Sequence, residues 1–356
     1  DRFAVVVYII SKQQHLIVSG KMIGLRVHVE KVLPQILAGI LSLRDAQNYI
    51  HARTTGMAES QVNFANDVLL ETEISVPPMR EQARIAVVLD TVDKAIANTE
   101  AVIAKFKQIR AGLLHDLLTL GLDGNGQLRE PIVHPEQFKD SPLGRIPFTW
   151  KVGALGDVLE KPPRNGYSPK EAPTFQGKYI LGLGCLSTEG FAPLQLKNAP
   201  LKNTAMEPFL LKDGDLLVSR SNTLDLVGFP GVFRDVGSPC YYPDLMMRLS
   251  PKPELCADFL ELILRWSRSR SLLVASASGT SGSMMKITGA GLMANAIAYP
   301  LLEEQRRILS AASGIVEELQ IYMHELKKLQ RLKSGLMSDL LTGRVRVPES
   351  IEVRST

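Results

Sequence analysis

Few side chains in this 356-residue chain are spaced for covalent chemistry. Residues 19–22 (SGKM) lack the upstream glycine with which a P-loop cradles phosphate. Residues 181–187 (LGLGCLS) hold two glycines but lead into no helix pattern, as a dinucleotide site would. Residues 279–283 (GTSGS) are not GxSxG and have no triad around them, so they read as a serine- and glycine-rich loop. The six histidines are scattered, with no HExxH and no cysteine or carboxylate at metal spacing. Cys185, Cys240 and Cys256 form no CxxC pair and are odd in number, the pattern of reduced structural thiols in an intracellular protein. The chain carries no visible chemistry of its own, and neither a cofactor nor a metal is expected.

The most informative pattern is a repeat. Residues 77–119 and 300–342 are one segment written twice, without a gap, at a spacing of 223 residues. Pro77 falls on Pro300, Glu81-Gln82 on Glu304-Gln305, and Asp116-Leu117-Leu118-Thr119 on Asp339-Leu340-Leu341-Thr342. In the second copy apolar residues recur at Ile308, Ala312, Ile315, Leu319, Tyr322, Leu326, Leu329, Leu336 and Leu340. Steps alternating four and three make a heptad seam. The same slots in the first copy are Ile85, Leu89, Val92, Ile96, Thr99, Ile103, Phe106, Leu113 and Leu117. One slot breaks the pattern and holds a base in both copies, Arg110 and Lys333. Each copy reads as a single helix of about ten turns, roughly 55 Å long. It is entered at Pro77-Pro78 or Pro300 and left at Gly121 or Gly343. Two such seams in one chain can satisfy each other as an antiparallel coiled coil; ordinary amphipathic core helices are the alternative.

Residues 122–150 are polar and proline-rich and read as a linker ending near Trp150. From Lys151 to Tyr299 short apolar runs are set off by Gly, Pro and Asn. LLVSR (216–220), GVF (231–233), LMMRL (245–249) and NAIAYP (295–300) read as strands, and 256–273 as one helix. Residues 32–53 resemble the later helix, and GLRV (24–27) sits where MMRL (246–249) sits, given a one-residue adjustment. Residues 1–76 are therefore expected to be the back half of a first globular domain whose front would lie about 100 residues before Asp1. The fold class expected is α+β, with globular α/β domains alternating with two long paired helices.

The chain exceeds one comfortable core. Its net charge of +4, from 41 basic and 37 acidic residues, is compatible with nucleic acid without requiring it. No run of 18 apolar residues exists; DRFAVVVYII, at the start, reads as a buried strand rather than a membrane span.

A globular domain ending in PLLEEQRRI, followed by a long helix ending in LKSGLMSDLLTG, resembles the specificity subunits of type I restriction–modification systems. RIPFTWKVGALGDVLE (145–160), KYILGLGCLSTEGF (178–191) and LKDGDLLVSRSN (211–222) resemble further pieces of that family. The resemblance implies a non-catalytic, cytoplasmic subunit. It would read a split target in double-stranded DNA with two target-recognition domains held apart by the coiled coil. Two methyltransferase subunits would clamp onto it, restriction–translocase subunits could join, and no membrane would be involved. Residues 1–76 would be the C-terminal part of a truncated first recognition domain, 77–121 the first spacer helix and 122–150 the linker and entry to the second domain. Residues 151–299 would be the second recognition domain, 300–343 the second spacer helix and 344–356 a tail. VSRSNTLDLVGFPGVF (218–233) is longer and less glycine-rich than the family's usual loop.

Within that frame Ser219, Arg220, Ser221 and Asn222 follow an apolar strand and precede a loop, where side chains can project from a rigid edge. Arginine can pair with guanine and asparagine with adenine through two bonds each; a solvated turn is the alternative. In Gly279, Thr280, Ser281 and Lys286, backbone amides and hydroxyls could hold phosphate. Arg53, Thr54 and Thr55 precede the equivalent loop of the first domain. Arg265, Arg268 and Arg270 could grip a backbone from one helix or lie on a solvated face. The competing reading of the whole chain is a coiled-coil scaffold whose globular domains bind proteins. A stand-alone methyltransferase or nuclease is disfavoured, because no NPPF/DPPY-type motif occurs.

Overall fold

The computed structural model describes residues 6–7, 22–54, 64–279 and 284–351. They gather into two compact units, one of residues 1–107 with 318–356 and one of residues 108–317. The described helices are α1 (Pro34–Leu41), α2 (Arg44–His51), α3 (Asn66–Leu70), α4 (Met79–Thr119), α5 (Ala257–Arg265), α6 (Ser267–Ala275), α7 (Gly289–Met293) and α8 (Leu302–Leu341).

The repeated segments are α4 and α8, of 41 and 40 residues, and each contributes to both units. In the first unit they run antiparallel. Phe106 and Tyr322 bring their rings to 5.2 Å, Asp93 ion-pairs with Lys333, and Ile85 and Leu89 share an apolar cluster with Leu340 and Leu341. In the second unit Leu113 and Leu117, near the end of α4, enter one core with Ile308 and Ala312, near the start of α8. All the seam slots named from the sequence are buried or half-buried. Thr99 satisfies its hydroxyl on the Ala95 carbonyl at 2.9 Å. The basic slot is explained by its partners, since Arg110 donates to Glu189 at 2.6 Å and Lys333 meets Asp93. Gly121 and Gly343 follow the helices with φ of 64° and 73°, left-handed conformations that release a helix terminus at low cost only for glycine.

Both helix starts are locked in the same way. In the first unit the buried Gln82 accepts from Leu33 N at 2.8 Å and donates to the carbonyls of Lys31 at 3.0 Å and Pro77 at 2.8 Å. In the second the buried Gln305 accepts from Cys256 N at 2.9 Å and donates to the carbonyls of Glu254 and Pro300, both at 2.8 Å. All six partners obey the 223-residue spacing. The neighbouring glutamates are buried too. Glu304 receives Arg129 at 2.6 Å, Leu122 N at 3.0 Å and the Trp150 indole N–H at 3.0 Å. Glu81 meets Arg346 at 2.7 Å.

The second unit is built on an antiparallel four-stranded sheet in the order Pro230–Val232, Leu216–Ser219, Met246–Pro251, Leu159–Asn165. Side chains alternate across a strand. Leu216, Val218, Met247 and Leu249 thus enter the main core with Phe259 and Ile263 of α5. Leu217 and Met246 face a second core with Phe233 and Tyr242. A sheet buried on both faces accounts for the unbroken apolar run LLV. A second sheet joins Cys240–Tyr241, Tyr179–Leu181 and Leu196–Asn198. Residues 122–150, read as a linker, send Leu122, Ile146 and Trp150 into the main core.

Three expectations need correction. The segment 256–273 is two helices, because Trp266 takes an extended backbone (φ −62°, ψ 138°) between α5 and α6. Phe259 and Ile263 of α5 and Leu273 of α6 all lie in the one main core, Leu273 fully buried. Leu43 makes the same break between α1 and α2 (φ −67°, ψ 151°). The helices match at a constant 223 residues, so the one-residue adjustment is unnecessary there. GLRV (24–27) forms no strand, since no described residue of the first unit offers it a ladder to join. Most of DRFAVVVYII lies outside the described residues.

Candidate nucleic-acid interface

Backbone pairing brings the two segments singled out in the second unit together. The Leu216–Ser219 strand ends where Arg220 N turns to Leu245 O at 2.8 Å. The chain then forms the short strand Ser221–Asn222, which pairs with Met285–Lys286, Ser221 opposite Lys286. Ile287 N closes the corner on Arg220 O at 2.9 Å.

Side chains at this corner divide sharply. Ser219, Ser221 and Asn222 are buried. The Asn222 amide donates to Ser219 Oγ at 3.3 Å and accepts from Thr223 N at 2.9 Å, so these residues hold the loop's shape from inside. Arg220 emerges half-exposed, its guanidinium 3.4 Å from Asp244 O, and Lys286 is exposed beside it. Gly279 is exposed; Thr280 and Ser281 lie outside the described residues. In the first unit Arg53 is exposed, 3.6 Å over the Tyr49 ring, and Thr54 donates to His51 O at 2.9 Å. Thr55 lies outside the described residues.

The arginines of RWSRSR do not share a face, because the helix breaks between them. Arg265 is held by Glu261 at 3.3 Å, Glu189 at 3.6 Å and the Thr188 carbonyl at 2.6 Å. Arg270 lies 4.0 Å over Phe229 and donates to the carbonyls of Val227 and Asp225. Burial lowers both guanidinium pKa values, with nearby carboxylates opposing. Both arginines serve the fold; Arg268 alone is exposed.

Sequence reasoning passed over a basic and aromatic surface at the end of the Leu159–Asn165 strand. Arg164 is exposed, its guanidinium 4.6 Å over the Phe209 ring. Tyr167 stacks on that ring at 6.1 Å and 18°. Arg248, opposite Arg164 in the sheet, lies 5.4 Å over Tyr242 and pairs with Asp215 at 3.2 Å. Gly166 makes the close approach possible. A Cβ there would come within 2.2 Å of Tyr242 O and 2.4 Å of Pro243 O, so only glycine fits. The signal available was this glycine between arginine and tyrosine in PPRNGYSP (162–169), which reads as a turn.

Among the described residues no group of three or more His, Cys, Asp or Glu could hold a metal ion, and no helix is long and apolar enough to cross a membrane. Cys185 and Cys240 are buried free thiols. Burial, with Cys185 and Asp235 nearby, pushes Cys240 up to about 12.

The family model described as type I restriction modification DNA specificity domain matches residues 4–108. The chain is 25% identical over 350 residues to a putative type I restriction enzyme MjaX specificity subunit of Methanocaldococcus jannaschii, covering 94% of this chain and 74% of the relative. It is 26% identical over 285 residues to the EcoKI specificity subunit of Escherichia coli K12, covering 79% and 57%. A solved structure concerned with complex assembly and conformational transition of the type I R-M system aligns with a TM-score of 0.50 at 20% identity. It covers 90% of this chain and 74% of its own, and supports the fold. With two long helices carrying the repeat, a specificity-domain model matching residues 4–108 and relatives along nearly its whole length, the chain is similar to the specificity subunits of type I restriction–modification systems.

Proposed function

We propose that this chain, like the relatives it resembles, is a specificity subunit, a recognition component rather than a catalytic one, and that it reads a bipartite target in double-stranded DNA, one half with each unit. The observation that carries the reading is the twofold use of one scaffold. The glutamine lock at Gln82 and Gln305 and the helix break at Leu43 and Trp266 recur at one spacing. A chain that presents the same frame twice is suited to reading two half-sites, with α4 and α8 as the ruler between them. At 1.5 Å per residue a 40-residue helix is about 60 Å long, more than one turn of DNA. In the second unit Arg220 and Lys286 are, among the described residues, the solvent-facing charged members of the sequence-derived set, with Ser219, Ser221 and Asn222 shaping the loop beneath. In the first, Arg53 is the exposed counterpart.

Two methyltransferase subunits would dock on this frame, restriction–translocase subunits would join them, and the assembly would work in the cytoplasm. The test is to express the chain with its methyltransferase subunits and map methylated bases across the genome. A split motif with a fixed spacer is expected. A continuous motif, or methylation without sequence preference, refutes the two-reader arrangement.

A further inference from the structure

Arg164 is poorly explained by folding. Like charges directly opposite each other in a sheet are destabilising, and Arg164 faces Arg248 across the ladder. Arg248 is neutralised by Asp215 at 3.2 Å, whereas Arg164 has no carboxylate partner among the described residues and rests on Phe209. The same surface carries Tyr167, on the same ring, at a close approach that only Gly166 permits. Hydrogen bonds tie it to the Arg220 corner. Tyr167 N reaches Tyr242 O at 3.1 Å, the Ser168 hydroxyl meets the Asp244 carboxylate, and Asp244 O lies 3.4 Å from the Arg220 guanidinium. Arg164 and Arg220 therefore flank one turn, residues 242–245.

We propose that Arg164 is a specificity-determining residue, reading a guanine in the half-site contacted by the second unit; this rests on the DNA-reading function proposed above. A guanidinium spread on an aromatic face keeps its planar fork of donors turned outward and loses little freedom when it binds. The two acceptors on a guanine's major-groove edge match that fork. A phosphate needs charge but not the fork, and this difference is what an experiment can read.

The chain, assembled with its methyltransferase subunits, is titrated with a duplex carrying its mapped methylation motif and with a random duplex. Arg164→Ala and Arg164→Lys should each weaken binding to the motif duplex about tenfold to hundredfold, with random-duplex binding within about twofold. Methylation maps from cells carrying Arg164→Lys should relax at one guanine of one half-site. Equal loss on both duplexes from Arg164→Ala, restored by lysine, would show a phosphate contact and overturn the proposal; so would unchanged binding by both variants. If the unsubstituted complex itself fails to distinguish motif from random duplex, the DNA-reading function falls first and this inference with it. Arg164→Lys keeps the charge and stem, so it remains informative even if the alanine variant folds poorly.

Discussion

Gln305→Leu removes three hydrogen bonds at once while nearly preserving side-chain volume. The side chain is fully buried. Its loss leaves Cys256 N, Glu254 O and Pro300 O without the partners they hold at 2.8–2.9 Å. A buried polar group left unsatisfied costs about 1–3 kcal/mol. Glu254 is exposed, so water can reach its side of the site, which puts the total near the lower end, about 3–5 kcal/mol. That is a large share of the roughly 5–15 kcal/mol that holds a domain folded. Urea unfolding of the full chain, followed by circular dichroism, gives the size. Hydrogen exchange gives the place, with protection falling around residues 254–260 and 300–308 but not around 31–41. The twin variant Gln82→Leu should invert that pattern. A loss below about 1 kcal/mol from Gln305→Leu, or equal loss of protection in both regions, would show that the glutamine does not lock the helix start.

Position along the seam should set the cost of truncation. Ile85→Ala, at a fully buried slot, should cost about 3–4 kcal/mol and Leu329→Ala, at a half-buried one, about 1–2 kcal/mol, measured by chemical unfolding. Arg220→Ala should weaken binding to the motif duplex by about 1–3 kcal/mol and leave random DNA nearly unchanged; equal losses with a salt slope reduced by about one would make it a phosphate contact. Burial raises the Glu261 carboxyl pKa, with Arg265 and the Val232 N–H opposing. The folded state therefore holds that proton to higher pH than the unfolded chain does. The stability this adds is full below the carboxyl's ordinary pKa and is lost as pH rises through the folded value. Glu261→Gln should flatten that limb of the stability–pH curve.

The helices were legible because their evidence is periodic. Heptad slots from Ile85 to Leu117 and from Ile308 to Leu340 are all buried or half-buried, and Gly121 and Gly343 take the left-handed turns expected of them. The breaks at Leu43 and Trp266 were not legible. No proline or glycine marks them. The corner at Arg220 was half legible. A strand ending in Ser219-Arg220-Ser221-Asn222 could be seen, but which side chains face inward depends on the strand Met285–Lys286 folding back over it. Arg164 was illegible because its meaning comes from Phe209 and Arg248, far away in sequence and brought near only by the sheet.

The pairing of Arg346 with Glu81 sets an order of events at the ribosome. The first unit needs residues from either side of the second, whereas the second is one uninterrupted stretch, residues 108–317. The unit translated later can therefore finish earlier. The segment from Ile36 to Leu89 must wait for Leu340 and Leu341, roughly 250 residues behind, which at about 5–20 residues per second is about 12–50 s. Through that interval Ile36, Ile40, Ile85 and Leu89, which end buried against Leu340 and Leu341, have no partner helix to cover them. The nascent first unit is the stage at which this chain is most open to chaperones and proteases.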